Sequence, residues 1–212
     1  MIVTTMTAEE IYREIMRDLE SVKRKGNAAG RIFQQEMLRK KIPYEMRTVS
    51  YKTAQWNEWQ IIIRIYPDNI YTSFYLKGWD DVGMVAYTIL FIRDGEDKFV
   101  IKYNSHFFKR YNERMNLGLT EPAKTLRHFF KNNYESEIAE TQLLDDGTRA
   151  LNFILKYGMG IGWQDDAKKM IQIKTFIGKE TFTKKQQSLV EHIKNGLTFY
   201  QILKPEHMKN KI

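Results

Sequence analysis

His106, Arg110 and Arg114 lie four residues apart in the stretch Ser105-His106-Phe107-Phe108-Lys109-Arg110-Tyr111-Asn112-Glu113-Arg114-Met115. On a helix that spacing brings the three into a single row. Phe107, Phe108, Tyr111 and Met115 fall on an apolar arc beside it, with Arg114 nearest the arc and His106 farthest from it. Charges that close to a core usually need a partner or a ligand, and an anion such as a phosphate suits these. The chemistry the row matches is metal-free RNA cleavage. There the substrate's own 2′-hydroxyl attacks the adjacent phosphorus, so the protein needs no nucleophile. It needs a proton-transfer group working near neutrality, which histidine supplies. It also needs donors for the charge that develops on the phosphorane, which arginine supplies in bidentate form. In this reading His106 moves protons while Arg110 and Arg114 hold the phosphate. Lys109 points away from the row and acts only through its field. Thr175 adds a hydroxyl if the strand that carries it neighbours the helix. The plain alternative is a solvated helix face. His106 then bonds a backbone carbonyl, and the arginines pair with Glu113, Glu121 or Asp145-Asp146, contacts that contribute ~0–1 kcal/mol each.

Other chemistries find less in the chain. Four histidines (His106, His128, His192, His207) are scattered, without the spacing of a zinc site. The acidic pairs Asp80-Asp81, Asp145-Asp146 and Asp165-Asp166 lie in apparent loops; two of them could share a magnesium ion as in two-metal nucleases, but acids in loops mostly form turns. There is no cysteine, hence no disulfide, no thiolate ligand and no thiol nucleophile. The expectation is a site that works without cofactor or metal.

A net charge of +8 favours a polyanionic partner, RNA first. No segment reaches the ~20 apolar residues that span a bilayer. Glu9, Glu10, Arg13 and Glu14 interrupt the amino-terminal stretch too early for a signal peptide. The expected compartment is the cytoplasm. An apolar content of 42% is enough for a packed core in a chain of 212 residues.

The elements that must position the row follow from periodicity. Thr7-Ala8-Glu9-Glu10 is a capping box opening a helix with Ile11, Ile15, Leu19 and Val22 inward. Lys23-Arg24-Lys25-Gly26-Asn27 reads as its end, and a second helix is expected from Gly30 to Lys40, before Pro43. From Trp59 the pattern becomes strand-like, with runs 61–66, 70–76, 82–93 and 98–103. Asp94-Gly95 reads as a hairpin turn between the last two. The His106 helix follows, with Ser105 as expected N-cap. A further helix starts near Thr120, with Pro122 in its first turn, and reaches Asn133. Strands are expected at 150–157 and 170–177. Gly158-Met159-Gly160-Ile161-Gly162-Trp163 between them reads as a mobile hairpin tip or bulge, because no Lys-Ser/Thr follows to make a phosphate loop. A last helix runs from Thr183 to Tyr200, with Leu189, Ile193 and Leu197 inward, and a frayed polar tail covers 205–212. The fold class is therefore α+β. An antiparallel sheet carries packed helices in a single domain, with residues 1–42 as a helical extension and 59–200 as the core.

The segment from Tyr103 to Met115, its following helix, two strands and the Lys174-Thr175-Phe176-Ile177 strand end together resemble the RelE/colicin-type metal-independent ribonucleases. In particular they are similar to the toxin-like domains reading Ser-His-x-x-x-Arg-x-x-x-Arg, then helix, then strands ending in Thr. The matching positions are Ser105, His106, Arg110, Arg114 and Thr175, and the likeness covers roughly Lys98 to Gly178. It implies RNA cleavage to a 2′,3′-cyclic phosphate without a cofactor. The first hundred residues have no counterpart in those compact toxins. A cognate protein inhibitor, or a homo-oligomer joined through the amino-terminal helices, is a further expected partner. The alternative function is a non-catalytic domain that binds nucleic acid or protein. For that reading Trp56, Trp59, Tyr66, Tyr71, Phe74, Tyr75 and Trp79 supply aromatic surface, although most are expected in the core.

Overall fold

The structure, a computed structural model, describes residues 1–92, 97–133, 137–194 and 200–201, and within these not the side chains of 137, 139–141, 192–194 and 200–201. The chain divides into two compact units, Met1–Gly78 and Trp79–Ile212, and each is α+β. No described helix is long and apolar enough to cross a membrane.

The first unit is one long helix on a three-stranded antiparallel sheet. Helix α1 (Ala8–Arg39) starts on the expected capping box, with the Thr7 side chain accepting from the Glu10 backbone N–H. It does not stop at Gly26. The two amino-terminal helices expected from the sequence are a single helix, and Gly26 and Gly30 are where it lies closest to the sheet. A Cβ on Gly26 would stand 3.2 Å from Ile61, and one on Gly30 only 2.8 Å from Ile70. Glycine inside a helix costs about 0.5–1 kcal/mol relative to alanine, and here it permits close helix–sheet approach. The strands are β1 (Glu45–Lys52), β2 (Glu58–Ile65) and β3 (Ile70–Trp79), paired in that order. The sequence reading passes over β1, whose residues are half-buried or exposed and carry little of an apolar pattern. The inner side chains of α1 include two acids. Asp18 is fully buried, and its Oδ2 accepts from Asn57 Nδ2 at 2.8 Å and Trp59 Nε1 at 2.9 Å.

The second unit is a mixed sheet with helices packed on it. Strands β4 (Met84–Ile92) and β5 (Asp97–Tyr103) pair antiparallel from Ile92↔Asp97. The Asp94-Gly95 turn expected between them lies outside the described residues. Helices α2 (Ser105–Arg114) and α3 (Pro122–Asn132) follow, then β6 (Glu137–Leu143), β7 (Arg149–Leu155), β8 (Gly158–Asp165) and β9 (Met170–Gly178). β5 and β9 run parallel, whereas β6 to β9 form an antiparallel meander. β6 is absent from the sequence reading. The glycine-rich segment is not a hairpin tip but strand β8 itself, reached by a tight turn at Lys156-Tyr157. Its glycines face crowded neighbours: a Cβ on Gly160 would stand 3.0 Å from Ile173 and 3.4 Å from both Phe107 and Phe153. The expected bulge is present, as a register shift between Ile161 and Gly162 on the β9 side.

Helix α4 (Lys184–Lys194) covers the lower end of the sheet's second face, where Val190 and Leu189 pack with Ile154, Met159, Ile161 and Ile177. Its expected continuation to Tyr200 and the position of Leu197 lie outside the described residues, as does the tail at 205–212; the side chain of Ile193 is likewise not described. A two-residue strand, β10 (Tyr200–Gln201), pairs with β6.

Candidate functional site

Helix α2 is anchored by rings. Phe107, Phe108 and Tyr111 are buried. Phe107 meets Tyr103 at 5.2 Å between ring centroids, Phe129 at 5.0 Å and Phe176 at 5.8 Å. Tyr111 adds Phe129 at 5.2 Å and Phe176 at 5.1 Å, mostly edge-on, as aromatic quadrupoles prefer. The apolar arc expected from the sequence is therefore the face that docks on β9 and α3, with Met115 half-buried at its end. Burial pushes the Tyr103 hydroxyl strongly upward, so that ring stays neutral within this cluster. The N-cap is Asn104 rather than Ser105, which is the first helical residue. The β5–β9 ladder runs on through the Asn104 N–H, which donates to the Ile173 carbonyl at 3.0 Å. That extension places the strand-to-helix transition one residue early.

On the outer face the spacing holds. His106, Lys109, Arg110 and Arg114 are all exposed. Arg110 Nη1 lies 3.0 Å from Glu113 Oε2, an exposed pair of the kind that contributes little. His106 and Arg114 have no hydrogen bond or ion pair with any described residue. The Arg114 side chain, expected near the core edge, is in solvent, while Met115 and Leu117 are half-buried.

Thr175 is not with them. β9 does pack against α2, as the sequence reading requires, but the bulge reverses the direction of its side chains. Pairing runs Gln172↔Trp163 and Ile173↔Gly162, then skips Lys174 to Thr175↔Ile161. Ile173 and Phe176 face α2, while Thr175 shares the face of Ile161, which packs on the α4 side. Strict two-residue alternation from Ile173 would have aimed Thr175 at the helix. One extra residue in the strand sends it to the opposite face.

A polar contact missed by the sequence reading joins α2 to α3. The Tyr111 hydroxyl lies 3.0 Å from His128 Nδ1, and Asn133 Nδ2 donates to the same hydroxyl at 3.4 Å. Burial pushes Tyr111 up to about 12, against the opposing pull of the Asn133 amide. Burial also holds His128 below the usual histidine range. A neutral imidazole and a protonated phenol share one hydrogen bond whose direction follows the imidazole tautomer, so this contact is a strut between the helices. The signal for it in the sequence is Tyr111 on the inner arc of α2, a ring whose hydroxyl needs a partner when buried.

The acidic pairs sit in turns. Asp80 accepts from the Val82 and Gly83 N–H groups, Asp146 from that of Thr148 and Asp165 from that of Lys168. Lys168 Nζ at 2.6 Å holds the Asp165 carboxyl below its usual range, and Asp166 pairs with Arg149 at 3.0 Å. Among the described residues no three histidine or acidic side chains are grouped to hold a metal ion.

No family model matches the chain, and no curated protein or solved structure matches it. The likeness to the metal-independent ribonucleases therefore stands on the residue pattern alone.

Proposed function

We propose that this is a basic RNA-binding protein that engages the phosphate backbone through the outer face of α2. The observation carrying this reading is the division of that helix. Its inner face is immobilised by buried rings, and its outer face presents His106, Lys109, Arg110 and Arg114 in solvent with Glu113 as the acid among them. A ridge of donors on a rigid helix suits a polyanion, whose binding is driven by counterion release. The test is the salt dependence of RNA affinity. Replacing both Arg110 and Arg114 with glutamine is expected to weaken binding roughly tenfold at low salt and to flatten the slope by about 1.4 to 1.8. An unchanged slope would remove the ridge from the interface.

Cleavage is the second reading, and the place of His106 favours it. The imidazole stands one turn, about 5.4 Å, ahead of Arg110 in the same row, so a phosphate held by the arginine is within its reach. Attack by the 2′-hydroxyl requires a proton taken from that oxygen and another given to the departing 5′-oxygen. His106 serves one transfer and solvent the other, since Thr175 lies on the opposite face. Incubating purified protein with bulk RNA in excess EDTA, beside His106→Ala, decides the matter. Cleavage to 2′,3′-cyclic ends that is lost in the variant supports this reading, and intact RNA leaves binding alone.

A further inference from the structure

The sheet face turned away from α2 carries a second arrangement that the α2 ridge does not use. One rung crosses five strands: Tyr87 on β4, Lys102 on β5, Gln172 on β9, Trp163 on β8 and Ala150 on β7 are consecutive cross-strand partners. Alternation places Lys102 opposite to Tyr103 and Gln172 opposite to Ile173, whose side chains face α2. α4 covers only the far end of this face, around Ile154, Met159 and Ile177. Trp163 is left half-exposed and Lys174 exposed.

Lys174 is the extra residue of the bulge, and its ammonium stands 3.8 Å from the centroid of the Trp163 ring. The backbone requires glycine at the opposing position, because a Cβ on Gly162 would run into the Gln172 carbonyl. A bulge that re-aims one side chain, held by an obligatory glycine, is a built feature of a sheet. Here it sets a cation over the ring of a half-exposed indole. The nearby acids do not cancel that charge, since Asp165 is tied to Lys168 and Asp166 to Arg149.

We infer that the β9–β8 face around Trp163 and Lys174 is a stacking platform for single-stranded nucleic acid, in which a base takes the indole face that the Lys174 ammonium covers and the displaced ammonium takes the phosphate. Charge complementarity favours a polyanion over an apolar occupant. A half-exposed indole under a displaceable cation favours unpaired bases over a duplex, whose bases are already stacked. The platform is on the other side of the sheet from the α2 row and does not depend on it.

The test uses the full chain and two probes, an oligouridine of about eight nucleotides and an abasic ribose-phosphate chain of equal length. Trp163→Ala is expected to weaken oligouridine binding roughly tenfold, to leave the abasic chain unaffected, and Trp163→Phe is expected to restore most of the loss. Lys174→Met should weaken both probes modestly and reduce the salt slope for each by about 0.7. Oligouridine affinity unchanged in Trp163→Ala, equal losses for both probes, or no binding of oligouridine by the wild type overturns the inference. Should Trp163→Ala fail to fold, as judged by circular dichroism, Trp163→Leu keeps the bulk without the π-face and carries the same comparison. Arg110→Gln with Arg114→Gln acts on both probes alike, so loss of the α2 reading and loss of the platform give different patterns.

Discussion

Helix α1 meets its sheet through two glycines and a buried carboxylate, whereas helix α2 meets its own through three aromatic rings. Gly26 and Gly30 bring the α1 backbone close to Ile61 and Ile70, and the fully buried Asp18 takes hydrogen bonds from Asn57 and Trp59. In α2, Phe107, Phe108 and Tyr111 fill a deeper space against Tyr103, Phe129 and Phe176. The first contact adds close approach and directional bonds to a row of buried aliphatic residues, Ile11, Ile15, Leu19 and Val22. The second relies on apolar area and on rings that lock one another's orientation. The two should therefore fail differently when altered.

The aromatic contact should be the costlier to lose. Phe107→Ala removes a ring with no exposed surface and is expected to destabilise by about 3–5 kcal/mol in urea titrations. A loss below about 1 kcal/mol would mean that the ring is not the anchor of α2. Asp18→Ala comes next, because it leaves the Trp59 N–H buried without its acceptor and the Asn57 amide with only Glu14 Oε1 at 3.3 Å. The expected cost is about 2–4 kcal/mol, and exchanging Trp59 for phenylalanine in the same background should recover part of it. The glycines follow. Gly30→Ala should cost about 1 kcal/mol or somewhat more despite the better helix propensity of alanine, because its Cβ meets the branched Ile70 at 2.8 Å. Gly26→Ala, with 3.2 Å to Ile61, should be near neutral. Equal effects at the two sites would show that helix propensity and not packing decides.

The smallest expected effect is on pH. Burial lowers the folded-state pKa of His128, so between that value and about 6.5 the unfolded chain binds more protons than the folded one. Stability is then full above about pH 6.5, falls as pH drops through that window, and levels off below the folded pKa. His128→Gln should flatten this part of the profile measured by thermal unfolding. A slope that survives the substitution would assign it to another group.

The same contrast explains what could be read in the chain. Residues 105–115 carry their pattern in side-chain size and charge, so both faces of α2 and its anchoring rings are legible. α1 is half legible. Its capping box and apolar spacing are plain, but Gly26 after Lys23-Arg24-Lys25 has the chemistry of a helix end. Only the sheet beneath it, with Ile61 and Ile70, turns that glycine into a contact. The glycines of β8 mislead in the same way, since their crowding against Phe107 and β9 belongs to tertiary structure. Thr175 shows the limit for the site. Its strand and its neighbouring helix are both inferred correctly, and the direction of its side chain depends on one unpaired residue that no local pattern reports.

That unpaired residue makes β9 behave like a text with a shifted reading frame. Before Lys174 the odd-numbered positions face α2, and after it the even-numbered ones do, so no single alternation describes the strand. Deleting Lys174 would restore one frame throughout. Ile173 and Phe176 would keep facing α2 and Thr175 the opposite face, and only the cation over Trp163 would be lost. The extra residue thus adds a cation over Trp163 on one face and leaves the ring cluster on the other face in place.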